Sequence, residues 1–257
     1  MTHFTTNNRL RKACARIAAA AFWLAVWQLA SVLVAQELLL VSPAQAFLRL
    51  FSLAAEPSFW QSVLLSCWRV VAGFFIALVV GVILAVLAAW SDPVRLLLEP
   101  LFGVIRATPV ASFIILVILW IPSSNAPIFI AFLMVVPMVW ASLCTGIRET
   151  DRDLLEMARV FRFSASKTMR MVYVPSVLPQ LMASCRVGIG FAWKSVIAAE
   201  VICLPRAAIG KQIYNARIYL ETADLFAWTI AVIILSVLIE KLAVAGFRAI
   251  TGKEASS

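Results

Sequence analysis

Apolar and polar positions alternate along the chain in long blocks, not with the period of two that marks a strand. Apolar blocks cover residues 17–35, 63–90, 109–121, 126–147, 181–203 and 225–247, and short segments rich in proline and charge separate them. Five of the six hold at least 18 residues, enough for a helix to cross a hydrocarbon core about 30 Å thick. The block at 109–121 is shorter, and at about 1.5 Å per residue it reaches only some 20 Å. Such a span is tolerated when other helices surround it. The turn Pro122-Ser123-Ser124-Asn125 divides it from the next block. The pattern predicts an all-α polytopic membrane protein with about six transmembrane helices. The first block follows Arg9, Arg11, Lys12 and Arg16, which is also the shape of a secretory signal. Its apolar run is too long for that and no small-residue cleavage site follows, so it is read as an anchor.

Composition agrees with this pattern: 63% of residues are hydrophobic, 14% are charged, and mean hydropathy is +0.97, against about 25% charged in an average soluble domain. The net charge of +9 would suggest nucleic acid in a soluble protein. Here the cations gather at the ends of apolar blocks and report orientation instead. With the N-terminus inside, the four cytoplasmic segments hold fifteen Lys and Arg and the two longer outer loops hold four, which satisfies the positive-inside bias. Fusing the third and fourth blocks would put the most basic segment outside, so they are kept as two spans. The expected location is a bacterial plasma (inner) membrane, with both termini cytoplasmic.

Within the second block, Gly73, Ala77, Gly81, Ala85 and Ala89 recur every four residues. This small-residue stripe lets helix backbones approach closely in lipid. Arg69 lies four residues before Gly73, and its plain reading is a side chain snorkelling to the outer interface. Catalytic chemistry is absent from the pattern. Cys14, Cys67, Cys144, Cys185 and Cys203 are scattered, the one histidine is His3 in a polar tail, and no phosphate-binding glycine loop occurs. No catalytic residue, metal or bound cofactor is therefore expected in this chain.

Two features carry candidate function. The first is the polar island at 148–180, which bears Arg159, Arg162, Lys167 and Arg170 between apolar blocks. It reads as two short helices with a turn near residues 162–164. Thr150 is placed to cap the first and Ser164 the second, and Pro175 to end the second. The plain alternative is an ordinary charged loop. The second feature is Lys194, beside Ser195, near the middle of the fifth span. A cation there is costly, and it needs a partner or a wet cavity. It lines a solute pathway, with Ser195, Glu200 and Arg69 as further candidates, or it forms a structural ion pair with Glu200 or Glu240. Arg186, nearer the inner end, is expected to snorkel to the cytoplasm.

Taken in order, several of these pieces resemble one family. Asp92-Pro93 follows a span, prolines punctuate 109–137, and Glu156-Met157-Ala158-Arg159-Val160 leads to Pro175 and Pro179. Gly188-Ile189-Gly190-Phe191-Ala192-Trp193 then opens a glycine-rich span. Over residues 61–247 this is similar to type-I ABC importer permeases of the nitrate/sulfonate/taurine type, in which the E-A-A loop is a coupling helix. Met157 replaces the second letter of that motif, and Arg162 stands where the family has glycine. The resemblance implies a type-I ABC importer permease fold. Its layout would be a tail, first span and outer loop at 1–60, a five-helix transmembrane domain at 61–247, and a cytoplasmic tail at 248–257. It further implies a homodimer, two ABC ATPase subunits that use the ATP, a substrate-binding protein, and no enzymatic activity of the chain's own. Glu156, Ala158, Arg159, Arg162, Ser164, Pro175 and Pro179 would couple to the ATPase. An ion-coupled secondary carrier and a non-transporting membrane scaffold are the alternatives.

Overall fold

Helices are laid out as the apolar blocks predict. A computed structural model describes residues 3–251, with side chains throughout 17–246 and at 11, 14 and 15. Arg9, Lys12, Arg16, Arg248 and Lys253, which count toward orientation, lie outside the described side chains, and most of the expected tail at 248–257 lies outside the described residues. Eleven α-helices follow one another among the described residues: α1 (His3–Val34), α2 (Pro43–Ala54), α3 (Pro57–Trp90), α4 (Asp92–Ala107), α5 (Val110–Ile118), α6 (Ala126–Arg148), α7 (Arg152–Val160), α8 (Ala165–Thr168), α9 (Val174–Cys203), α10 (Ile209–Ile218) and α11 (Thr222–Thr251).

Four of these, at Ile17–Val34, Pro57–Trp90, Ala126–Arg148 and Thr222–Gly246, are long and apolar enough to cross a membrane. The number rises to five if α4 and α5, bent by 101° at their junction, count as one broken span. The expectation of about six thus meets two difficulties. The third span is the nine-residue α5, roughly 14 Å long and too short to cross alone. The fifth is α9, which carries Arg186, Lys194 and Glu200 and falls outside the set.

The chain divides into two compact units. In the first, residues 1–59 and 212–231, α2 is amphipathic and enters through a capping box in which Ser42 and Gln45 satisfy each other's backbone. The Trp27 indole N–H donates to the Val41 carbonyl at 3.0 Å, and Trp27 stacks on Phe226. Arg49 grips Asp224 through two hydrogen bonds, one of them 2.9 Å. That pairing holds the guanidinium above its ordinary pKa. Apart from contacts such as that of Trp27, the apolar stretch of α1 is exposed and none of its residues is fully buried, as suits a helix largely facing lipid.

The second unit, residues 60–211 and 232–257, is built on the pair α6 and α9, with α3 against α6. The small-residue stripe of α3 makes this approach. A β-carbon at Gly73 would lie 2.6 Å from both Ala131 Cβ and the Ile128 carbonyl, and one at Gly81 would lie 2.8 Å from Val139. Ala77 and Ala85 are fully buried between them. The stripe ends sooner than its four-residue spacing suggests: Ala89 is exposed and Ala88 is buried in its place. Each four-residue step overshoots a turn of 3.6 by about 40°, so the fifth member has rotated off the face. On α9, Ser184, Gly188 and Ala192 are buried.

Candidate functional site

The polar island forms a helix, a left-handed turn and a second helix. Asp151, not Thr150, caps α7, accepting from the Asp153 amide at 2.9 Å. The Thr150 hydroxyl instead donates back to the Gly146 carbonyl at 3.2 Å, closing the end of α6. Ser164 caps the second helix as expected, accepting from the Lys167 amide at 3.3 Å.

Between the helices, Arg162 sits at φ +49°, in the left-handed region the glycine pattern anticipates. Its amide donates to the Arg159 carbonyl at 3.0 Å, and the Phe163 amide reaches back to Ala158 at 2.8 Å. These two bonds are a Schellman close, which ordinarily has glycine at the Arg162 position. Keeping a side chain there costs about 1 kcal/mol. Ala158 is the one buried residue of α7. Glu156, Arg159 and Arg162 are exposed, together with Met157, Val160 and Phe161. Lys167 lies over the Phe163 ring, 4.0 Å from its centroid. Ser164, Lys167, Arg170 and Pro175 line an open groove of about 700 Å³.

Pro175 does not end the second helix. The backbone runs from α8 through a π-helical turn, Met169–Tyr173, directly into α9, with helical angles at each junction. A π-turn widens the backbone ring by one residue, and here it stands just before a proline that lacks its own N–H. The end of the loop and α9 are therefore one continuous helical segment from Ala165 to Cys203, and Pro179 is accommodated inside α9.

The in-span charges pair differently from expectation. Arg69 does not snorkel. It is buried and meets Glu200, fully buried, at 2.8 Å. Ser62, Ser66 and Arg69 share the buried face of α3. The Ser66 hydroxyl donates to Glu200 at 2.8 Å, and the Gly210 amide donates to the other Glu200 oxygen at 3.1 Å. A β-carbon on Gly210 would lie 2.5 Å from Glu200 Cβ, so glycine is required there. The Arg69 guanidinium also donates to the carbonyls of Arg206 and Ala207, and the Ile209 amide to Ser66. This network holds the turn after α9, where Leu204 and Ala207 take positive φ.

Arg186 pairs with Glu240 at 3.5 Å, and both side chains are exposed. Both acids expected as partners for Lys194 are thus engaged elsewhere, and Lys194 makes no ion pair among the described residues. It is exposed on α9 beside Val187, Phe191 and Ala198, whereas Ser195 and Trp193 face inward. Lys194 and Ser195 are therefore not brought together, and Glu200 and Arg69 belong to the buried network. Sequence reading misses Ser66 and Gly210, since neither carries a local signal.

Fold and site together define a multi-pass helical membrane protein in which an exposed basic loop runs without a helical break into the long charged helix α9. The chain belongs to the binding-protein-dependent transport system inner membrane component family, matching it over residues 77–251, and it is accordingly a transport-type inner-membrane protein. It is 34% identical over 224 residues to the putative aliphatic sulfonates transport permease protein SsuC of Escherichia coli, covering 85% of this chain and 82% of that one. It is 32% identical over 159 residues to the bicarbonate transport system permease protein CmpB of Synechococcus elongatus. That match takes in 62% of this chain and 57% of the relative's length. Among solved structures, an inward-facing MetNI methionine ABC transporter superposes with a TM-score of 0.64 at 17% identity, over 77% of this chain and 99% of that chain. A bacterial ABC transporter importing alginate superposes at 0.59 and 15%, over 98% and 100%. At these identities the likeness is one of fold.

Proposed function

We propose that this chain is the membrane-spanning permease subunit of an ATP-driven ABC importer, paired with a second copy, driven by two separate ATPase subunits and supplied by a substrate-binding protein. The observation that carries the reading is the continuous helical segment from Ala165 to Cys203. A loop pushed from the cytoplasm moves α9 with it, because the helical backbone runs on from one to the other. The surface offered to the motor is α7 and the turn: Glu156, Arg159 and Arg162 surround the exposed Met157, Val160 and Phe161. Mixed apolar and charged surface of this kind suits a protein partner better than headgroups or water. Coupling then requires the loop to fit the ATPase dimer differently in its two states.

The family relationship supports this reading, and so do the relatives named as permeases. Carriage coupled to a chain of titratable acids is not favoured, because Glu200 and Glu240 are each held by an arginine. Glu156→Lys tests the docking role. Because Glu156 is exposed, the variant is expected to reach the membrane at normal levels and to lose ATP-dependent uptake at least tenfold, along with copurification of the ATPase. Unchanged uptake would overturn the docking role.

A further inference from the structure

An open groove of about 560 Å³ lies between α9 and α11, lined by Arg186, Val237, Glu240, Lys241, Val244 and Ala245. Its charges do not balance. Arg186 approaches Glu240 through Nε at 3.5 Å, and both side chains stay exposed. A guanidinium has more donors than one such contact uses, so Arg186 keeps some for another partner. Lys241 is exposed too, and it makes no ion pair among the described residues. Two cations share the groove with a single carboxylate, which leaves it short of one negative charge.

Depth along the helices points to what could supply that charge. In the orientation read from the charge pattern, Cys203 at the end of α9 and Thr222 at the start of α11 both lie at the outer side. Arg186 stands about 26 Å along α9 from Cys203, and Lys241 about 28 Å along α11 from Thr222. Against a hydrocarbon core about 30 Å thick, each helix brings its cation to the inner edge of the core, where headgroups begin. Apolar side chains flank that level on the same face of α11. Val237 lies one turn from Lys241 on the core side, and Val244 and Ala245 lie one turn beyond it.

We propose that this groove binds an anionic phospholipid of the cytoplasmic leaflet, its phosphate held by Arg186 and Lys241 and an acyl chain laid along Val237. The choice of leaflet rests on the importer reading above. A phosphodiester brings the one negative charge that the groove lacks, and guanidinium and ammonium groups at headgroup level both attract it. A zwitterionic lipid would set its own cation beside these two. Glu240 lines the same groove and limits the affinity.

Native mass spectrometry tests this on the full-length chain, purified in detergent with the subunits that accompany it. Phosphatidylglycerol and phosphatidylcholine are titrated separately, and inorganic phosphate is added as a competitor. Phosphatidylglycerol should bind in preference to phosphatidylcholine, and inorganic phosphate should not displace it. Lys241→Gln should lower that preference by about fivefold, Lys241→Arg should keep it, and Glu240→Gln should raise it. A preference that Lys241→Gln leaves unchanged overturns the proposal, as does displacement by inorganic phosphate. Should Lys241→Gln lose a copy of the chain from the assembly, which the same spectra read, Glu240→Gln decides instead. A preference that does not rise in that variant overturns the proposal in favour of an interface between copies. None of these readouts needs ATP or transport, so failure of the importer reading would appear separately, as uptake that does not require the ATPase.

Discussion

At the scale of single residues, the strongest constraint is the buried ion pair of Arg69 and Glu200. Each is an unusual charge in an apolar block, but they lie 131 positions apart, and no local pattern joins them. A guanidinium with no exposed surface to spare must have its donors satisfied on site. Here two go to loop carbonyls and one to the carboxylate. Glu200→Gln keeps the shape and removes the charge, so Arg69 is left buried and uncompensated. Breaking one side of such a pair costs about 3–5 kcal/mol. The variant should therefore melt well below the parent in detergent, and adding Arg69→Met should recover part of the loss. A double variant no more stable than the single one would show that the loop carbonyls of Arg206 and Ala207, not the charge, are what the pair serves.

Arg162 illustrates the opposite case at the same scale. The expectation that arginine fills a glycine position needs only the sequence. The left-handed φ that makes it matter comes from the closing hydrogen bonds of α7.

At the scale of elements, helix existence follows from apolar periodicity, and the ends of helices are less legible. Thr150 and Asp151 are both competent caps, and the choice between them turns on Thr150 finding the Gly146 carbonyl within reach. Pro175 reads as a terminator because proline breaks the α-helical ladder, yet a π-turn before it carries the helix onward. Local sequence records the missing N–H but not whether the preceding turn can widen to absorb it.

The α3–α6 contact is where element packing is most sharply specified. Gly73→Val would drive side-chain atoms into the Ile128 backbone carbonyl, which cannot step aside as a flexible side chain would. A loss of about 1–3 kcal/mol is expected, read as a lower melting temperature. The same change at Gly103, whose β-carbon position is open, should cost far less.

At the scale of the whole molecule, orientation is the property on which the functional reading depends. The basic helix–turn–helix has to face the compartment that holds the ATPase. Ser166 is exposed within it, so a cysteine at that position, in a background without the native cysteines, is expected to resist a membrane-impermeant maleimide in sealed cells and to react fully once the membrane is opened. Labelling from outside intact cells would reverse the topology and remove the coupling role. Span number belongs to this scale too. The nine-residue α5 and the 101° bend between α4 and α5 mean that the middle of the chain does not resolve into simple crossings by length alone.

By itself the sequence determined that the protein is helical and membrane-embedded, that its basic loop lies between two apolar blocks, and that Lys194 is an anomaly needing a partner or a wet cavity. Those properties are local: apolar run length, charge density and cap chemistry are written in contiguous residues. Tertiary structure decided which charges neutralise one another, which face of α9 remains open, and that the end of the loop and α9 form one helical segment. Pairing in a low-dielectric interior depends on distances between helices, and a linear pattern does not encode those distances.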